Sequence, residues 1–166
     1  MELERTLVLI KPDGLQRGLV GQLLTRFELV GLKIVGLKLI AVDPVFAARH
    51  YTEDLAKRRG EKVRRLMVKM LTESPVIAIA LEGIEAIELV RKMVGPTEPK
   101  VAPPGTIRGD FAHISYRFAD AGGAGIKNLI HASSSPEDAA GELALWFAAS
   151  ELYQYPMPNE GHIYSR

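Results

Sequence analysis

The sequence predicts an α+β sandwich, a mainly antiparallel sheet with helices covering one face, in a split βαβ arrangement. Three observations point there. Two short, nearly all-apolar runs, residues 6–10 (T-L-V-L-I) and 75–81 (P-V-I-A-I-A-L), carry the pattern of buried strands. Each run gives way to a segment with apolar residues at helical spacing. The resulting order is strand, helix, strand, helices, strand, helix, loop, strand, with no internal repeat or low-complexity segment.

Lys11-Pro12-Asp13-Gly14 breaks the first run and marks a turn. From Gly18, the residues Leu19, Val20, Leu23, Leu24 and Phe27 form an apolar stripe with Gln22, Arg26 and Glu28 between them, and Gly31 stands at the stop, which defines the first helix. Residues 32–42 mix β-favouring Ile34, Val35 and Ile40 with Lys33 and Lys38 and end at Asp43-Pro44, as a second strand would. From Pro44 to Thr72 the spacing is helical again, and Gly60 divides the stretch into pieces rich in Arg and Lys, giving two or three helices. After the second apolar run, Ile84, Ile87, Leu89, Val90 and Met93 make a helical face that ends at Gly95.

Residues 96–109 hold Pro96, Pro99, Pro103, Pro104, Gly105 and Gly109, too many breakers for a helix or a central strand, so a long loop is expected. Residues 111–118 read as a strand, 119–125 as a small, Gly-rich excursion and 127–130 as one more short strand. The clearest boundary is Ser135-Pro136-Glu137-Asp138: a hydroxyl cap, a proline at the first helical position and acids in the first turn, with Leu143 and Phe147 continuing at helical spacing. Residues 148–166, with Tyr153, Tyr155, Pro156 and Pro158, are expected to pack across a surface.

Composition narrows the classes. A chain of 166 residues suits one domain around one core, spanning residues 1–166. With 21 Lys+Arg against 20 Asp+Glu there is no bulk positive field, so neither a nucleic acid nor a membrane is expected as partner, and any anion must be bound locally. The absence of cysteine removes disulfides, thiolate nucleophiles and cysteine zinc sites together. The start, Met1-Glu2-Leu3-Glu4-Arg5, is acidic where an export signal is basic, and no apolar run approaches the ~20 residues of a membrane helix. A cytoplasmic protein is the expectation.

Of the four histidines, His50 lies in a helical stretch beside Tyr51, His113 in the expected strand and His162 in the tail. Each lacks a motif and is read as a packing or surface residue. His131 differs: it ends the apolar Leu129-Ile130 run and precedes three serines and a capped helix, so it should emerge at a strand end near a helix N-terminus, where phosphate is welcome. Position alone weighs a nucleophile and a histidine packed at the core edge equally. Lys11 follows the first strand, a common place for sites, although a lone turn lysine is usually just solvated. Thr106, Arg108 and the backbone of residues 104–110 offer anion donors, and Arg91 sits on the preceding helix. Neither G-x-x-x-x-G-K-[ST] nor G-x-G-x-x-G occurs, which leaves a histidine-centred route open for any phosphate chemistry.

Four blocks make the sequence recognisable: Ile10-Lys11-Pro12-Asp13-Gly14 with Gln16-Arg17-Gly18; Pro104-Gly105-Thr106-Ile107-Arg108-Gly109-Asp110-Phe111; Asn128-Leu129-Ile130-His131-Ala132-Ser133; and Leu145-Trp146-Phe147. In this order and spacing they resemble the nucleoside diphosphate kinases over nearly the whole chain. The resemblance implies a ferredoxin-like α/β sandwich with a four-stranded antiparallel sheet. It also implies transfer of the γ-phosphate of a nucleoside triphosphate to a nucleoside diphosphate, by a ping-pong mechanism through a phosphohistidine on His131. Glu142 matches the carboxylate that orients the ring, and Lys11, Tyr51, Arg91, Thr97, Arg108 and Asn128 match the phosphate and sugar contacts. Mg2+ carried on the nucleotide is implied as cofactor. Residues 96–104 resemble a loop used in subunit contacts, which implies a homo-oligomer, a hexamer.

Three departures stand out. The family stacks the base on a phenylalanine, whereas residues 57–65 lack an aromatic and are about four residues longer, with Val63 nearest by alignment. Between Phe111 and Asn128 the chain carries about ten extra residues, around 116–125, and Tyr116 or Phe118 there is a source for the missing base contact. Ser134 replaces an aspartate that commonly follows the His-[Gly/Ala]-Ser triplet, which removes no phosphate donor. Two other readings compete with the active kinase: a nucleotide-binding relative without catalysis, motivated by the altered base site, and a nucleic-acid-binding module, disfavoured by the balanced charge.

Overall fold

The computed structural model describes residues 3–164. The chain runs β1 (Glu4–Ile10), α1 (Pro12–Gln16), α2 (Val20–Leu29), β2 (Lys33–Ile40), α3 (Pro44–His50), α4 (Glu53–Arg59), α5 (Glu61–Leu71), β3 (Val76–Gly83), α6 (Ala86–Val94), a 3-10 turn (Pro99–Val101), α7 (Ile107–Phe111), α8 (Tyr116–Ala121), β4 (Ile130–Ala132), α9 (Pro136–Trp146), a second 3-10 turn (Ala149–Glu151) and α10 (Glu160–Ile163). The sheet order is β2-β3-β1-β4 and every neighbouring pair is antiparallel. This is the ferredoxin-like sandwich expected from the sequence.

Alternate side chains of each strand go to opposite faces of the sheet. Val8, Ile10, Ile77, Ile79 and Leu81 pack with Leu23 and Phe27 of α2 and Val90 and Val94 of α6. Leu7, Leu9, Val76, Ala78 and Ala80 pack with Ala47 of α3, Leu71 of α5, and Trp146 and Phe147 at the end of α9. Helices therefore cover both faces, where the sequence reading placed them on one. The reason lies in the strands themselves: β3 is buried along its whole length, and a strand apolar on both sides cannot leave either to water.

Residues 111–118 do not form the expected strand. Phe111 closes α7, whose Thr106 cap accepts a hydrogen bond from the Gly109 amide, and His113 lies in the connection. Ser115 then caps α8 by accepting from the Phe118 amide. A serine cap followed by Ala119 and Ala121 overrides the strand preference of Tyr116 and Phe118. The last strand is Ile130–Ala132, not residues 127–130, because Leu129 sits at φ 71°, a left-handed conformation that cannot continue a strand. The tail does cross a surface, as expected: the Tyr153 amide donates to the Val35 carbonyl at 2.7 Å and the Tyr155 hydroxyl to the Ile34 carbonyl at 2.8 Å. Lys33 pairs with Glu160 at 2.9 Å and Lys38 with Glu151 at 2.7 Å. Gly36 permits the crossing, since a Cβ there would lie 3.2 Å from the Glu151 carbonyl oxygen and 3.0 Å from the Phe147 ring. Among the described residues, no helix is long and apolar enough to cross a membrane.

Phe27 is fully buried on α2, so Phe27→Ala should cost about 3–5 kcal/mol in urea unfolding. Gln22→Ala, on the exposed side of the same helix, should stay within about 0.5 kcal/mol.

Candidate active site

The site grows from the end of β1. Lys11 leaves the strand and its amide donates to the Leu129 carbonyl at 2.8 Å, while the Asp13 carboxylate accepts from the Leu129 amide at 2.9 Å. Gly14 lets the two segments touch, because a Cβ there would lie 2.9 Å from the Leu129 carbonyl oxygen. Leu129 is held left-handed between these contacts and its side chain is fully buried. β4 then pairs with β1, placing His131 opposite Leu9. Directly opposed residues point to the same face, so His131 projects toward α3 and α9 with Leu9.

α9 begins where the sequence placed it: Ser135 accepts from the Asp138 amide and Pro136 takes the first helical position. Ser134 does not cap but donates its hydroxyl to the Asp138 carboxylate. Two turns in, Glu142 meets His131, with Nε2 2.9 Å from both carboxylate oxygens. The buried Ser133 hydroxyl donates to the second oxygen at 2.6 Å. Burial resists ionisation of Glu142, but the hydrogen bond from His131, with that from Ser133, outweighs it and holds the carboxyl below its ordinary range. A carboxylate accepts only, so Nε2 carries the ring proton and Nδ1 keeps the lone pair.

His50, which the sequence reading set aside as a packing residue, belongs here. Its ring stacks edge to face on His131, centroids 4.6 Å apart, and its Nδ1 accepts from the Trp146 indole at 3.2 Å. Burial, and then the neighbouring His131, depress its pKa to about 3. His50 is therefore neutral at pH 7, with Nε2 buried and unpartnered among the described residues. A helical histidine far in sequence from every quoted motif gave no signal. The one available hint was its neighbour Tyr51, which matches a family phosphate or sugar contact.

Around His131 opens a cleft of ≈1000 Å3 lined by Lys11, Tyr51, Val63, Arg91, Thr97, Arg108, Asn128, His131 and Glu142, whereas Thr106 and Phe118, also singled out in the sequence, do not line it. Lys11 Nζ donates to Asn128 Oδ1 at 2.7 Å, and Asn128 Nδ2 donates to the Thr97 carbonyl at 2.8 Å. Arg108 spans the floor, donating to the carbonyls of Gly95 at 2.8 Å, Ile130 at 2.7 Å and Asn128 at 3.3 Å. Arg91 and Thr97 are exposed at the mouth and Val63 is 38% exposed on the rim. Burial, then the charge of Arg108, lower the Lys11 pKa to about 8, against the opposing pull of Asp13. Burial and Arg91 lower Arg108 to about 10. Burial, with Glu142 and Asp13, raises Tyr51, which stays a neutral hydroxyl. Cations this poorly solvated are arranged to receive a multiply charged anion.

A ferredoxin-like sandwich with a carboxylate-oriented histidine at the floor of a cationic cleft defines a phosphotransferase. Residues 4–152 match the nucleoside diphosphate kinase family. The nucleoside diphosphate kinase of Borreliella burgdorferi is 45% identical over 96% of both chains, and that of Pyrococcus horikoshii 48% identical over 93% of this chain and 92% of its own. A solved structure described as a transition state mimic of the Borrelia burgdorferi enzyme with bound vanadate and ADP superposes with TM-score 0.95 at 44% identity, covering 98% of this chain and 97% of that one. This chain belongs to the nucleoside diphosphate kinase family, enzymes that exchange the terminal phosphate between nucleoside tri- and diphosphates.

The buried neutral His50 has a consequence for stability. Its folded pKa lies below its unfolded one, so the unfolded chain binds the proton more readily and stability falls with acidification. The loss should begin near pH 6.5 and continue toward pH 3, and in His50→Gln the slope of unfolding free energy against pH over that window should be shallower.

Proposed function

We propose that His131 is the phosphoryl acceptor, attacking the γ-phosphate through Nδ1. The observation that carries this is the 2.9 Å contact of Nε2 with both Glu142 oxygens, which fixes the proton on the far nitrogen and aims the lone pair of Nδ1 into the cleft. As Nδ1 bonds to phosphorus and the bond to the bridging oxygen breaks, the ring gains positive charge, and Glu142 stabilises it through the shared proton. The reverse step hands the phosphoryl group to a second nucleoside diphosphate.

Lys11, Tyr51, Arg91, Thr97, Arg108 and Asn128 are assigned to the phosphates and sugar. Lys11 and Arg108 sit nearest the floor and balance the charge spread over the transferring group; Arg91 and Thr97 engage at the mouth. Asn128 positions Lys11 by accepting from it. The base then lies outward against Val63. The solved relative described as a transition state mimic with bound vanadate and ADP supports a nucleotide as the ligand.

Mg2+ is the proposed cofactor, riding on the nucleotide. It prefers oxygen ligands and retained waters, which phosphates supply, and it neutralises phosphate charge when bound. Among the described residues the grouping of metal-type side chains is His50, His131 and Glu142, nitrogen-rich and engaged in orienting the ring, which does not fit a protein-held magnesium but does fit one brought by substrate. A single domain with insertions at 57–65 and 116–125, a homo-oligomer of hexameric form and a cytoplasmic location complete the reading.

Incubation with γ-labelled nucleoside triphosphate should give an acid-labile, base-stable phosphoenzyme that is lost in His131→Ala; label persisting in that variant contradicts the assignment. Glu142→Gln should slow phosphoenzyme formation about 100-fold with nucleotide affinity nearly kept. Because Lys11 must be protonated to hold phosphate, kcat/KM for the triphosphate should fall above about pH 8. Bound phosphates raise the lysine's pKa, so kcat should stay flat there. A kcat/KM unchanged to pH 9.5 removes Lys11 from this role.

A further inference from the structure

The charge of the chain is balanced in total but not in place. Its net charge is +1, yet residues 57–69, at the end of α4 and along α5, hold Lys57, Arg58, Arg59, Lys62, Arg64, Arg65 and Lys69 against a single acid, Glu61. The rest of the chain is therefore net acidic. Gly60, at φ 89°, lets α4 turn directly into α5, so the cations of both helices gather on one hairpin. Arg64 is half-buried and holds the hairpin to α3, its Nε donating to the Tyr51 carbonyl at 2.8 Å. The other six are exposed. Arg58 pairs with Asp54, and Arg64 and Arg65 share Glu61, which leaves Lys57, Arg59, Lys62 and Lys69 without an acid among the described residues.

The two faces of α5 differ. Val63, Leu66 and Met67, at i, i+3 and i+4, line the cleft. Lys62, Arg65 and Lys69, at i, i+3 and i+7, form a separate stripe that does not line it. The cations in the last turn of α4 suit its helix dipole, but helix stability does not account for the stripe on α5. Lys62 stands in the first turn, where the dipole disfavours a cation, and Arg65 and Lys69 are like charges at i, i+4, which repel. The cleft lining carries nearly as many acids as cations, so it projects little net field of its own. A helix with its side chains is about 10–12 Å across, so the stripe stands about one Debye length from the cleft at ~0.1 M salt. It is near enough to draw an anion in and too far to touch one that is bound.

We propose that the outer face of the α4–α5 hairpin is a capture surface for nucleoside polyphosphates, a basic collar beside the cleft that speeds their entry and does not contact them afterwards. This rests on the reading of the cleft as a nucleotide site. Cations gathered on one side of an otherwise acidic protein attract a polyanion to that side and repel it elsewhere. The selection is by charge alone: the collar favours tri- and diphosphates and is indifferent to base and sugar.

The test measures single-turnover phosphoenzyme formation from a nucleoside triphosphate with Mg2+, for the native chain and for Lys62→Gln, Arg65→Gln and Lys69→Gln combined. At ~0.02 M salt the triple variant should lose about fivefold in kcat/KM, and at ~1 M salt the two proteins should converge. The rate at saturating triphosphate should be the same in both proteins at either salt concentration. A charge-keeping variant, Lys62→Arg, Arg65→Lys and Lys69→Arg combined, should behave as the native chain. Equal kcat/KM at low salt, a loss that persists at high salt, or a loss in the charge-keeping variant overturns the collar. A stripe that holds a labelled single-stranded oligonucleotide, with capture of triphosphate unchanged in the triple variant, is a nucleic-acid surface and also overturns it. No phosphoenzyme from the native protein at any salt concentration instead overturns the nucleotide reading on which it rests.

Discussion

The geometry of the site depends on one clamp, the grip of residues 11–14 on Leu129. A left-handed leucine costs about 1–2 kcal/mol. It persists because the Asp13 carboxylate takes its amide, the Lys11 amide takes its carbonyl, and its side chain is fully buried. A hydrogen bond to a charged group contributes about 1.5–3 kcal/mol, enough to offset the strain. The kink leaves Asn128 hydrogen-bonded to Lys11 on one side and starts β4 on the other, so that Lys11 and His131 are positioned by the same few contacts. The proline and glycine of Lys11-Pro12-Asp13-Gly14 make that approach possible, Pro12 by opening α1 and Gly14 by leaving space for the Leu129 carbonyl.

Around the clamp, the protein keeps charges where they are poorly solvated. Lys11 is 2% exposed and Arg108 6%, and both hold their protons less firmly than in water. Arg108 offsets its burial by donating to three backbone carbonyls that converge from α6, Asn128 and β4, which also joins the mobile-looking connections of the sequence into one floor. Glu142 is the counterpart, an anion held ionised beside His131. Neutral His50 packs between His131 and Trp146 without adding charge, so the His131 ring is braced on one side by a carboxylate and on another by an uncharged neighbour. Burial and mutual repulsion of these cations favour an anion among them.

Much of this was legible in the sequence, and the failures have local causes. β1, β3 and α9 announced themselves because an apolar run and a Ser-Pro-acid cap are decided within a few residues. Lys11, Arg108, Asn128 and His131 could be named from their motifs and Glu142 from the family resemblance, and the structure brings them into one cleft. α8 was read as strand because Tyr116 and Phe118 favour strands, while the deciding Ser115 cap is a weak signal alone. β4 was displaced because nothing in the sequence marks Leu129 as left-handed; its conformation is imposed by Asp13, 116 residues away. His50 was missed for the same reason, since its partners Trp146 and His131 are distant in sequence. The second covered face of the sheet was implicit in the unbroken apolarity of residues 75–81, which has no polar side to expose.

The central claim is that Glu142 on Nε2 leaves Nδ1 of His131 as the acceptor. Phosphorus–nitrogen coupling in NMR of the phosphoenzyme, with histidine ring nitrogens labelled, tests it most directly. The account predicts a single phosphohistidine with phosphorus bonded to Nδ1 of residue 131 and a proton retained on Nε2. Phosphorus on Nε2, or on any other side chain, contradicts it.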